Sequence, residues 1–238
     1  MNKFIKCNKL IKGCRTYTPP NLFSKLICNI KKNMENKYNA QDCLQILRDV
    51  KDVAFASVDE NGIPQNRIID VMIVENEKLY FCTARGKHFY NQIINNPNLA
   101  ITGMNSKYKM VMLKGQAEKL YNSKEWIDRI FDENESMNDV YPQESRYILE
   151  AFCISNGELE IYDLSNTPIY RESFVIGKGE ITPKGFFITE DCIQCNTCAD
   201  GCPQRCITVG EPYIINSSQC LHCGLCFENC PVNAIIRK

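Results

Sequence analysis

Eight of the fifteen cysteines fall in one pattern written twice near the C-terminal end of the chain. The first copy is Cys192-x2-Cys195-x2-Cys198-x3-Cys202-Pro203, and the second is Cys220-x2-Cys223-x2-Cys226-x3-Cys230-Pro231. Thiolates are the usual ligands of iron–sulfur clusters, and three of them at this spacing can wrap three corners of a cubane. The fourth is displaced and precedes proline, so the chain turns away and its sulfur reaches the other cluster. On that rule Cys192, Cys195, Cys198 and Cys230 hold one [4Fe–4S] cluster, and Cys220, Cys223, Cys226 and Cys202 hold the second. Structural zinc is the rival for Cys-x2-Cys pairs, but zinc calls for neither a third cysteine at the same step nor a repeated Cys-Pro. Two such clusters move electrons one at a time, and the remaining three-quarters of the chain must supply their purpose.

The repeat also bears on a ninth cysteine. Cys202-Pro203-x-x-Cys206-Ile207 aligns with Cys230-Pro231-x-x-Ala234-Ile235, so Cys206 stands at a packing position held by a small residue and is not one of the eight ligands. Elsewhere the composition is that of a globular protein, with 44% hydrophobic and 24% charged residues. Its 28 basic and 28 acidic residues balance, so no whole-protein field favours nucleic acid or membrane, and neither is expected as a partner. No signal peptide and no apolar run near ~18 residues is present. Cluster-binding cysteines need a reducing compartment, which points to the cytoplasm. Residues 1–33 carry eight basic residues, from Lys3 to Lys32, and no acidic one. They read as a solvated, poorly ordered basic extension over 1–37, or as the product of an upstream start with Met34 as the true first residue. A DNA-binding arm is the alternative that such charge allows.

These motifs need elements to hold them. Asn39 is placed to cap a helix carrying Leu44, Leu47 and Val50 on one face. Strand signals follow at Val53–Val58, Arg67–Val74 and Leu79–Thr83, then a short helix from about Lys87 to Asn95 that stops at Pro97. Further strands are expected at Leu99–Met104, Lys109–Leu120, Tyr147–Ile154 and Glu158–Tyr162, with a helix over Ser123–Asn134 burying Trp126, Ile127, Ile130 and Phe131. Short strands with tight turns argue for a mainly β domain, a closed or partly closed antiparallel barrel over residues 38–165. Pro168, Gly177, Gly179, Pro183 and Gly185 punctuate a linker over 166–187, and a small α+β ferredoxin-like unit occupies 188–238.

Three barrel segments carry a resemblance: Gly62-Ile63-Pro64-Gln65-Asn66-Arg67-Ile68-Ile69-Asp70, Lys78 through Lys87, and Gln92-Ile93-Ile94-Asn95-Asn96-Pro97. They resemble the FMN-binding split barrels of the pyridoxamine 5'-phosphate oxidase-like superfamily, here joined to a bacterial-type 2[4Fe–4S] ferredoxin domain. The resemblance implies that Arg67, Thr83 and Lys87 contact the FMN phosphate, with Ile68, Ile69 and Asp70 along the isoalloxazine edge, and that the protein is a homodimer. His88 stands beside Lys87 as a further donor. The physics agrees: a phosphate dianion suits a guanidinium, an ammonium and the free N–H groups of a helix start. The chain departs from pyridoxamine phosphate oxidase itself, with Asp70 and Met72 where that enzyme carries aliphatic residues and a lysine, and without its C-terminal Arg/His pair.

The expectation is an iron–sulfur flavoprotein oxidoreductase, passing electrons from a redox protein donor through two [4Fe–4S] clusters and FMN to a small-molecule acceptor. The alternative is an electron-transfer protein between protein partners with no substrate of its own. No catalytic residue is assigned; Tyr80, Cys82, His88 and Tyr108 are candidates for an acid, with Cys82 and Cys153 read as buried strand residues.

Overall fold

The computed structural model describes residues 37–238; the basic segment 1–33 and Met34 lie outside the described residues. Helix α1, Ala40–Val50, begins where the sequence predicts, because Asn39 and Asp42 cap each other. The Asn39 side chain accepts from the Asp42 N–H at 2.8 Å and the Asp42 carboxylate accepts the Asn39 N–H at 3.0 Å, which satisfies two donors that a helix start otherwise leaves free. One face of α1 sinks Cys43, Leu44 and Leu47 into the main core.

That core lies inside an eight-stranded antiparallel sheet. Its strands are β1 (Asp52–Val58), β2 (Pro64–Asp70), β3 (Ile73–Glu75), β4 (Lys78–Ala84), β5 (Asn98–Met104), β6 (Lys109–Lys119), β7 (Leu149–Asp163) and β8 (Tyr170–Ile176). The order is β2-β1-β5-β6-β7-β4-β3, with β8 added to β7. Helix α2, His88–Asn95, follows β4 and buries Phe89 and Ile93. Helix α3, Ser123–Glu133, covers the opposite face of β4 and β7 with Ile127, Ile130 and Phe131, while Trp126 stacks on Tyr80 with ring centroids 4.6 Å apart. Each fully buried Leu, Ile or Phe contributes about 1.5–3 kcal/mol relative to exposure, so the two apolar faces of β4 commit it to a central position.

Strand β7 is the spine. One edge pairs with β6; the other is divided, Leu149–Ile154 against β4 and Gly157–Asp163 against β8. The division falls at Ser155-Asn156-Gly157, opposite a register shift between Gly115 and Ala117. A Cβ at Gly157 would lie 2.2 Å from the Lys114 carbonyl oxygen, and one at Gly115 would lie 2.7 Å from the Asn156 carbonyl oxygen. Backbone approach that close excludes any side chain there.

Three expectations differ from these elements. The segment Arg67–Val74 is two strands, interrupted at the buried pair Val71 and Met72. The predicted strands Tyr147–Ile154 and Glu158–Tyr162 are one, because the Asn-Gly that resembles a turn is the bulge of a bent strand. The stretch 166–187, read as a linker, contains β8 of the main sheet. Pro and Gly density marked its ends and hid the strand Tyr-Arg-Glu-Ser-Phe-Val-Ile between them.

The C-terminal region has the symmetry of its sequence repeat. Strand β9, Phe186–Ile188, pairs with β12, Ile235–Arg237, and β10, Ile207–Thr208, pairs with β11, Ile214–Ile215, so each half contributes one strand to each ribbon. One-turn helices α4 (Thr197–Asp200) and α5 (Leu225–Glu228) occupy matching places. Left-handed backbone recurs in register: Gln194 with His222, Asn196 with Gly224, Arg205 with Asn233. Residues 38–238 form one compact unit, barrel and C-terminal region together.

Candidate redox sites

The C-terminal cysteines line two hollows. Cys192, Cys195, Cys198 and Cys230 surround the first, together with Ile188, Tyr213 and Ile235. Cys202, Cys220, Cys223 and Cys226 surround the second, with Phe186, Ile207 and Ile215. Each hollow thus gathers three cysteines of one motif copy and the Cys-Pro cysteine of the other. The left-handed residues between the cysteines turn the backbone so that its N–H groups face sulfur. The His222 N–H donates to Cys220 Sγ at 3.4 Å and the Ala234 N–H to Cys230 Sγ at 3.2 Å. The Thr197 hydroxyl and N–H hold the Cys195 thiol below its ordinary range. Burial pushes the Cys202 thiol up, but hydrogen bonds from the Cys206 thiol and from backbone N–H groups outweigh it and bring it below its ordinary range.

This donor set fits a cluster better than a single ion. Among the described residues no three His, Cys, Asp or Glu side chains converge closely enough to hold one metal ion. A cubane spreads its four thiolates around its corners, and thiolates around an apolar hollow meet that demand.

The second hollow lies beside the barrel. The Ile169 N–H, just before β8, donates to Gln204 Oε1 at 3.2 Å. A Cβ at Gly185 would lie 2.9 Å from His222 Nε2, so the residue between two cluster cysteines packs on the start of the β9–β12 ribbon. Burial raises the Tyr162 phenol on β7, with the Arg171 guanidinium opposing the rise. Beneath this contact Glu160 is buried between Arg171 and Lys184, which hold its carboxyl below the usual range against the cost of burial. Nothing in the sequence marked that ion cluster, since its residues come from β7, β8 and the chain after β8.

The flavin residues expected in the barrel divide by strand alternation. Arg67 and Ile69 face the core side of β2; Ile68 is 62% exposed on the other face. Arg67 crosses to β1 and α2: Nη1 donates to Ser57 Oγ at 2.6 Å and to the Phe55 carbonyl at 3.2 Å, and Nη2 to Gln92 Oε1 at 2.9 Å. Its guanidinium lies 4.4 Å from the centre of the Phe89 ring. Three of its five donors are thereby engaged, leaving Nε–H and one Nη2 hydrogen. Ser57, Phe89 and Gln92 thus enter the site as its supports, and of them only Gln92 stood in a segment singled out in the sequence. Asp70 turns away to pair with Lys51 at 3.8 Å.

Thr83 is 1% exposed on β4, and its Oγ1 has no hydrogen-bond partner among the described residues. Lys87 is the N-cap residue of α2, four residues on, and His88 begins the helix; both are exposed. A buried hydroxyl without a partner, followed by a cation at the start of an eight-residue helix, fits an anionic ligand better than an apolar one. Arg85 and Lys119 are committed instead to Glu150, at 3.1 and 3.3 Å. A groove of about 670 Å³ runs over the outer face of β1, β5, β6 and β7, lined by Ser57, Lys114, Gln116, Asn156 and Lys178 among others.

The candidate acids are not brought together. Tyr80 and Cys82 are buried under α3, their pKa values each pushed up to about 12 by burial. Cys153 is buried beside them, as expected of a strand residue. Tyr108 is exposed at the β5–β6 turn.

Residues 40–147 match the family model of pyridoxamine 5'-phosphate oxidase, and residues 191–234 match that of the 4Fe-4S dicluster domain. No curated protein matches the chain. Among solved structures, a NimC/NimA family protein from Clostridium acetobutylicum aligns at 20% identity over 58% of this chain and 92% of its own, with a TM-score of 0.50. A pyridoxamine 5'-phosphate oxidase-related, FMN-binding protein from Nostoc punctiforme aligns at 14% identity over 57% of this chain and 93% of its own, with a TM-score of 0.40. The first of these shares the split-barrel fold.

Proposed function

We propose that this chain, a pyridoxamine 5'-phosphate oxidase-type barrel fused to a 4Fe-4S dicluster domain, is an iron–sulfur flavoprotein reductase that takes electrons from a redox protein and delivers them to a small molecule. FMN in the barrel would supply two-electron storage and hydride delivery, and the clusters one-electron exchange with the donor. The observation that supports this reading most is the packing of the second cysteine half on the barrel, where the Ile169 N–H just before β8 donates to Gln204 and the turn Ser217–Gln219 lies against β8. An electron carrier lodged against the domain that binds the flavin has a destination.

The barrel's own residues would divide the work of holding the flavin. Lys87, the start of α2 and the Thr83 hydroxyl offer donors to the phosphate. Arg67 is fixed by Ser57 and Gln92 and can add its remaining donors without losing its support. Strand β2 is an edge of the sheet, so its outer backbone groups are available to the ring system. The exposed face beside it carries Ile68 and Met104 with small residues between them, a surface suited to a second copy of the chain.

The test is anaerobic reoxidation of the fully reduced protein, followed at flavin and cluster wavelengths. Rapid reoxidation by a small molecule from a panel of reducible quinones, nitro compounds and enones, with turnover, is expected. Reoxidation only by a partner protein would replace this reading with that of an electron-transfer protein without its own substrate.

A further inference from the structure

Cys206 is the unassigned cysteine nearest the electron-carrying site. It is 3% exposed, it lines the same hollow as Cys202, Cys220, Cys223 and Cys226, and its Sγ lies 3.5 Å from Cys202 Sγ. Cys220 lines the hollow with it, so Cys206 shares that space with all four proposed ligands. In the other half of the repeat the matching residue is Ala234, buried behind Cys230 with its N–H donated to that sulfur. Packing alone would be met by alanine at both places. The extra thiol is present on one side only, the side that contacts the barrel.

From this geometry we infer that Cys206 is a reserve ligand of the second cluster, able to take the corner held by Cys202. The inference rests on the assignment of Cys202 to that cluster. The exchange is redox-neutral: the Fe–Sγ bond to Cys202 breaks, an Fe–Sγ bond to Cys206 forms, and the proton on Cys206 passes to Cys202 along their existing contact. The cluster keeps four thiolates throughout, one on each iron. The chain Cys202-Pro203-Gln204-Arg205-Cys206 already returns the second sulfur to the first, with Arg205 in left-handed backbone and its N–H donated to the Cys202 carbonyl at 3.0 Å. The first cluster has no such reserve, so loss of Cys230 has no remedy there.

The experiment uses the full chain, purified anaerobically, with iron and acid-labile sulfide counted per chain and both clusters followed by EPR after reduction. Wild type, Cys206→Ala and Cys202→Ala should each hold about eight irons, and Cys202→Ala/Cys206→Ala about four. In Cys202→Ala the EPR signal of one cluster should change while that of the other stays. About four irons in Cys202→Ala alone would overturn the inference. About eight in the double variant, or a wild type without two clusters, would instead remove the ligand assignment beneath it. A second measurement does not depend on how Cys202→Ala folds. Under an iron chelator, Cys206→Ala should release half its iron several-fold faster than wild type, and equal rates would count against a reserve role.

Discussion

At the scale of single residues the most telling atom is Thr83 Oγ1, buried and without a partner. Burying a hydroxyl unpaired costs about 1–3 kcal/mol, so such an atom persists where a ligand repays it. Replacing Thr83 by Val should weaken FMN about tenfold, the effect of one lost hydrogen bond, without lowering the melting temperature of the flavin-free protein. Isothermal titration and thermal unfolding of the same preparation measure both. Unchanged FMN affinity would mean that the hydroxyl serves no ligand. Asp70 carries the opposite lesson. Burial, with Asp52 opposite it across β1–β2, raises its carboxyl above the ordinary value of 3.8, and Lys51 and Arg48 only partly offset this. A raised folded pKa means that the folded state binds the extra proton, so stability falls as pH rises from that unperturbed value through the folded one and stays lower above. Asp70→Asn should therefore raise the unfolding midpoint at pH 7, by up to about 1 kcal/mol for so partly exposed a group, and the gain should shrink below the unperturbed pKa. A gain of equal size at both pH values would point to a cause other than charge.

At the scale of elements, the bent spine β7 decides the architecture, because its two halves take different partners on one edge. The bend depends on Gly115 and Gly157 passing each other without side chains. Gly157→Ala should cost about 2–4 kcal/mol, since the new methyl meets backbone that cannot rotate away. Gly62→Ala, where no atom lies within 4 Å of the added carbon, meets no such contact and pays only for its left-handed backbone. Chemical denaturation of both variants compares the two, and equal losses would contradict the crossing. These elements also explain what the sequence could and could not reveal. The capped helix at Asn39, the amphipathic α3 and most strands were readable because burial imposed a period on them. Strand β8 was not, since its residues are only half-buried and its flanks are rich in glycine and proline. The same limit applies to the sites. The cysteine spacing is a local property and pointed to both hollows. The supports of Arg67, the ion cluster at Glu160 and the position of Cys206 arise from contacts between distant segments, which no periodicity records.

At the scale of the whole molecule, two cofactor types would work through one contact. The cysteine repeat builds two hollows from crossed halves, and the half that holds the second meets the barrel at Ile169 and β8. Among the described residues no helix is long and apolar enough to cross a membrane. Neither domain alone accounts for the other: clusters without a flavin would have no two-electron outlet, and a flavin without clusters would have no one-electron inlet. The most direct measurement is an anaerobic coulometric titration of the fully loaded chain, read by flavin absorbance and cluster EPR together. About four electron equivalents per chain are expected, two in FMN and one in each cluster. Under this internal transfer, electrons introduced at the clusters should appear on the flavin without a mediator. Uptake of only about two equivalents, or a flavin that stays oxidised beside reduced clusters, would contradict it.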